Sequence, residues 1–130
     1  MIKYRALKNY KYQTMEQCHF ALRTGDVIPS RTNTVSIDGF IELRPDNTLV
    51  INRGYAWDGA SGAFDTKSIM DASLIHDALY QLIREGKLDK DIYRKVADRV
   101  LYHRCRLDGM GWIRAQYVYL AVRIFGGLYV

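Results

Sequence analysis

Ser68-Ile-Met-Asp-Ala-Ser-Leu-Ile-His-Asp-Ala-Leu-Tyr-Gln-Leu-Ile-Arg84 is the stretch where the hydrophobic period of this chain changes. Within it Ile69, Ala72, Ser73, His76, Leu79, Tyr80 and Ile83 recur at steps of three and four, the pattern of a helix with one inward stripe. Ser68-Ile69-Met70-Asp71 has the spacing of a capping box, and Gly86 supplies a stop. The spacing predicts a helix over 68–84, with His76 on the inward stripe and Asp77 at its edge.

Upstream the period is two. Val35–Leu43 and Thr48–Tyr55 are rich in β-formers and are separated by Arg44-Pro45-Asp46-Asn47, where proline presets a turn and Asp-Asn tolerate the left-handed region. That predicts a hairpin, with Val35, Ile37, Gly39, Ile41 and Leu43 on one side of the first arm and Leu49 and Ile51 on one side of the second. Between Ile2 and Leu22, Tyr4, Tyr10, Tyr12 and Phe20 stand among polar residues with no helical stripe, which suggests one or two twisted strands. Residues 24–34 are rich in turn formers and read as an exposed loop.

Downstream, Asp89 caps a second helix with Ile92, Tyr93, Val96, Val100, Leu101 and Cys105 as its stripe and Asp108-Gly109 as its break. A third, from about Gly111 to Phe125, carries Trp112, Ile113, Ala115, Val118, Tyr119, Val122 and Phe125; it is expected to close the core and end at Gly126-Gly127. The short 85–88 connection predicts that the first two helices are antiparallel neighbours. His76 then lies about ten residues before the connection and Asp98 about ten after it, so the two should meet. Strands first and helices second is an α+β order: N-terminal antiparallel strands and a hairpin packed on a C-terminal three-helix unit. At 130 residues and 48% hydrophobic the chain reads as one domain, 1–130, β-rich over 1–60 and helical over 61–130.

Composition narrows the function classes. Cys18 and Cys105 allow at most one bridge, and Met1-Ile2-Lys3-Tyr4-Arg5 opens no apolar signal segment, so free thiols and synthesis in a reducing cytoplasm are expected. The apolar run Tyr117 to Phe125 is broken by Arg123 and falls short of the roughly 20 residues that span a bilayer, so the protein should not be transmembrane. The net charge of +5 favours anionic partners. Eight basic residues against four acidic ones between Arg84 and Arg106 read as a solvated helix surface, and nucleic-acid binding is not expected from charge alone.

The chemistry-bearing residues gather around Trp57-Asp58-Gly59-Ala60-Ser61-Gly62 and Ile75-His76-Asp77-Ala78-Leu79-Tyr80. A histidine on a buried stripe, oriented by a carboxylate from the next helix, can act as a general base, because the carboxylate fixes its tautomer and stabilises the imidazolium. Asp98 is the candidate orienter. Asp77 points about 100° away around the helix, toward the loop, where with Asp58 and loop carbonyls it could surround a hard cation such as calcium. Gly59 and Ser61 support that loop, and Tyr80 and Tyr119 either bond to Asp98 or fill the core. Each residue also has a structural reading: His76 as a core histidine, Asp58 as a turn former, Ser61 as a cap. Ser61 lacks a nucleophile-elbow setting, and Cys105 has only His103 close in sequence. A metal phosphohydrolase built from His19, His76-Asp77 and Asp98 would need His19 to reach the helix pair, and a structural zinc site lacks ligands at suitable spacing.

Two resemblances rest on these residues. His76-Asp77-x-x-Tyr80 followed by Ala97-Asp98-Arg99 resembles the two-helix active site of the phospholipase A2 superfamily, although the cysteines of the secreted enzymes are absent. The resemblance implies His76 as base, Asp98 as its orienter and Asp77 as a calcium ligand, with 57–62 in the place of the calcium loop; Asp71 and Ala72 resemble the compact viral forms. Residues 35–127 resemble more closely an uncharacterised family of small tailed-phage proteins, through the Asp58-Gly59-Ala60-Ser61 loop, the His76-Asp77-Ala78-Leu79-Tyr80 helix and Gly126-Gly127; that resemblance implies no established activity. Two expectations follow. One is a phage-encoded, phospholipase A2-like hydrolase with a His-Asp base and calcium, acting on a lipid or related ester at an anionic phospholipid surface. The other is a non-catalytic phage structural or host-interaction protein, with the host cytoplasm or the virion as its location in either case.

Overall fold

The structure, a computed structural model, describes residues 2–6, 12–23, 28–57 and 67–130. Among the described residues seven short strands precede three helices, so the α+β order holds. The strands are β1 Tyr4–Ala6, β2 Tyr12–Thr14, β3 Cys18–Ala21, β4 Val35–Ile37, β5 Ile41–Leu43, β6 Thr48–Ile51 and β7 Ala56–Trp57. They form two antiparallel sheets, one ordered β1-β2-β7 and the other β3-β6-β5-β4.

The turn between β5 and β6 forms as its residues dictate. Asn47 takes the left-handed conformation (φ 66°), its N–H bonds to Arg44 O at 2.9 Å, and the Asp46 carboxylate accepts from Thr48 N at 2.9 Å. The predicted first arm is not one strand. Gly39 at φ +82° reverses the chain, and β4 folds back on β5 with Ile37 opposite Ile41. Alternation alone cannot expose such a break, because Gly39 also fits the alternating pattern. The described residues between Ile2 and Leu22 form three strands where one or two were expected.

Thr14 stitches the sheets together. It is buried; its hydroxyl donates to Asn52 O at 2.9 Å and accepts from Tyr55 N at 3.0 Å, so the chain leaving β6 turns into β7. There Trp57 is buried beside the rings of Tyr4 and Tyr12, with centroids 6.0 and 5.5 Å away. Its indole N–H donates to Ser73 Oγ at 3.1 Å.

Ser73 belongs to α1, Lys67–Arg84, which is covered on nearly every side. Beyond the predicted stripe, Met70, Leu74, Ile75, Ala78 and Leu82 are also buried. One side meets the sheets through Ile41, Leu43, Leu49 and Ile51. Another contributes Ile69 and Ala72 to a second cluster with Leu101, Cys105, Met110, Ala115 and Val118. The expected capping box is replaced: Asp71 bonds to Arg104 at 3.0 Å, a partner on the next helix.

That helix, α2, spans Lys90–Leu107 with Asp89 as its N-cap, its carboxylate accepting from Asp91 N at 2.8 Å. Gly86 at φ +74° and Gly109 at φ +99° end α1 and α2, where a left-handed residue is needed. Ile92, expected on the stripe, is exposed. Helix α3, Trp112–Phe125, is followed by a 3-10 turn, Gly126–Tyr129. It closes the core through Ala115 and Val118, while Trp112, Ile113 and Phe125, expected inside, face outward. No helix among the described residues is long and apolar enough to cross a membrane.

Candidate active site

The antiparallel α1–α2 pairing brings His76 and Asp98 together. His76 Nε2 lies 2.7 Å from Asp98 Oδ1. Since an ionised carboxylate only accepts, Nε2 carries a proton, and in the neutral imidazole Nδ1 holds the lone pair. Tyr80, one turn along α1 from His76, donates its hydroxyl to the same Oδ1 at 2.6 Å and lies against the imidazole with ring centroids 4.1 Å apart. Arg123 from α3 donates Nη1 to Oδ2 at 2.8 Å. Asp98 is fully buried, so its charge is supported by these three donors.

The electrostatics follow from that arrangement. Burial alone would raise the Asp98 carboxyl, but hydrogen bonds from His76, Tyr80 and Arg123 reverse this and hold it below its ordinary range. Burial pulls His76 down, and the carboxylates of Asp77 and Asp98 outweigh it and hold the imidazole above its ordinary value. Asp77 Oδ1 stands 3.9 Å from Nδ1, beyond hydrogen-bond length, and acts through its charge. Among the described residues no three metal-ligating side chains cluster. The loop expected to face Asp77 across a cation, with Asp58, lies outside the described residues.

Not every expected site residue joins the cluster. Asp58, Gly59 and Ser61 lie outside the described residues. Tyr119 is not at Asp98; its ring meets Tyr102 edge-on at 6.0 Å. His19 is exposed on β3, with Nε2 2.9 Å from Gln17 Oε1, apart from the His76 cluster. Cys18 and Cys105 are free and buried. Arg123 was missed: in the sequence it only interrupts an apolar run, and that cation in an apolar helix was the available signal.

The sequence presents Gly126 as a helix end, and in the fold its role is space. Its backbone is right-handed (φ −61°), yet a Cβ there would overlap the Tyr80 hydroxyl. Gly126→Ala should therefore push Tyr80 off Asp98 and cost about 1–3 kcal/mol, read from chemical denaturation. Gly127→Ala should cost less, because a Cβ at Gly127 would come no closer than 3.5 Å to the Arg94 guanidinium.

Burial and the Asp98 charge raise the Tyr80 phenol above its ordinary value, and burial pushes the Cys105 thiol up to about 12. Both groups ionise earlier in the unfolded chain, which then binds fewer protons than the folded one. Stability is thus fully present below about pH 8.5 and falls as pH rises past about 8.5 for Cys105 and 10 for Tyr80. Thermal melts between those pH values and about 11 should show the loss, with a shallower slope in Cys105→Ala and in Tyr80→Phe.

Compared with protein-family models, with curated proteins and with solved structures, the chain matches none. Its function is therefore argued from the site itself.

Proposed function

We propose that this chain is a phage-encoded, phospholipase A2-like hydrolase that cleaves a lipid or related ester with His76 as general base. The observation that supports the reading is the 2.7 Å bond from His76 Nε2 to a buried Asp98, which leaves Nδ1 as the basic nitrogen. In the proposed step Nδ1 takes a proton from water as the water oxygen attacks the ester carbonyl carbon. The imidazolium so formed is stabilised by Asp98 and returns its proton to the departing alkoxide. Tyr80 and Arg123 position Asp98. The expected anionic phospholipid surface and calcium enter as conditions of the assay.

The test is fatty-acid release from mixed phospholipid vesicles, with and without calcium, alongside calorimetric calcium titration of the wild type and Asp77→Asn. Release that falls by about 10²–10⁴ in His76→Ala supports the hydrolase. No release under any condition from folded protein sinks it. The other reading, a non-catalytic phage structural or host-interaction protein, is favoured by one observation: His76 is only 7% exposed, as a purely structural histidine would be.

A further inference from the structure

Helix α3 is apolar on two opposite sides. Ala115 and Val118 face the core. At 100° per residue the opposite side carries Ile113, Tyr117, Leu120 and Ile124, exposed by 75%, 76%, 55% and 69%. A helix with apolar residues all round is normally covered all round, and among the described residues α3 is covered on one side only.

We propose that this outer ridge of α3 is the contact face of a two-fold symmetric dimer of the chain. Three observations select a second copy. First, the ridge residues are spaced four, three and four apart, the a/d spacing with which one helix seats its side chains in the holes of another. Arg114, Gln116 and Arg123 border the ridge. Second, the area suffices. The exposed apolar face, which widens from the ridge to Trp112 on one flank and Phe125 on the other and continues into Leu128 and Tyr129, presents about 1,000 Å² from ordinary side-chain areas. A standard interface takes about 800 Å² from each partner, and monomers rarely leave so large a patch open. Third, the charges suit self-contact. No acidic residue follows Asp108, and the cations there are Arg114 and Arg123, the second held by Asp98. Two copies therefore meet with little charge repulsion across the ridge, while Arg84 and Arg94 of the neighbouring helices reach only its C-terminal end, through Tyr129 O and the Val122 and Arg123 carbonyls.

The inference does not depend on the proposed activity. It bears on the same site, because α3 also brings Arg123 to Asp98 and Gly126 to Tyr80.

Sedimentation velocity on the full chain tests it. Wild type should run at twice the mass of one chain. Tyr117→Glu with Leu120→Glu, and separately Tyr117→Lys with Leu120→Lys, should run at the mass of one chain with the wild-type circular dichroism spectrum. Mixing the two variants should restore the double mass, and does so whether the helices pair parallel or antiparallel. If either double variant fails to fold, Leu120→Ala should weaken dimerisation about tenfold or more. A wild type that stays monomeric at about 100 μM, above any dissociation constant that would matter, overturns the proposal. So does a dimer insensitive to these substitutions, or a monomer that binds phosphatidylglycerol vesicles through Tyr117 and Leu120.

Discussion

Asp98→Ala is expected to remove about 3–5 kcal/mol of stability, the usual cost of deleting one partner of a buried ion pair. Three donors converge on this carboxylate at 2.6–2.8 Å, and the deletion strands all of them. The Arg123 side chain is 32% exposed and can turn to water, so most of the cost falls on the His76 imidazole and the Tyr80 hydroxyl, which are buried. Asp98→Asn keeps an acceptor of the same shape and should cost less. Urea unfolding of the three proteins checks the order; an alanine variant as stable as the asparagine one would mean that the donors find new partners. If the hydrolase reading holds, both variants should also lose turnover, because neither leaves a charge to stabilise the imidazolium.

Trp57→Ala should cost a similar amount, about 3–5 kcal/mol, for a different reason. The indole is 2% exposed and fills the junction of three elements: Tyr4 on β1 and Tyr12 on β2 on one side, and Ser73 of α1, which accepts its N–H, on the other. Truncation opens a cavity where the smaller sheet meets the helix. Trp57→Phe keeps most of the volume and should lose about 1–2 kcal/mol, from the indole hydrogen bond and the poorer fit. Comparison of the two by urea unfolding separates cavity from hydrogen bond. Equal losses would place the energy in the bond to Ser73 and not in the packing.

The helical half was legible because periodicity, a capping aspartate and left-handed glycines agree over long segments. The same patterns led from spacing alone to the meeting of His76 with Asp98. Two features were hidden for physical reasons. The β4–β5 turn lies inside a run whose alternation continues through Gly39, so only pairing partners distant in sequence reveal it. Helix α3 is apolar on opposite sides, and composition cannot tell which side the core takes; hence the expectation that Trp112, Ile113 and Phe125 lie inside, where the structure has them exposed. Arg123 and Gly126 act through close contacts with residues of α1 and α2, and no local pattern encodes an approach between segments so far apart in sequence.

The burial of α1 on nearly all sides has a consequence for how the molecule breathes. A helix covered on nearly every side has little room to open locally, so its central amides should exchange with heavy water only when the whole chain unfolds. The backbone around His76 then belongs to the slowest-exchanging part of the protein. Adjustment at that histidine must come from side chains brought in by other elements, Asp98 of α2 first and, through its other oxygen, the Arg123 guanidinium of α3.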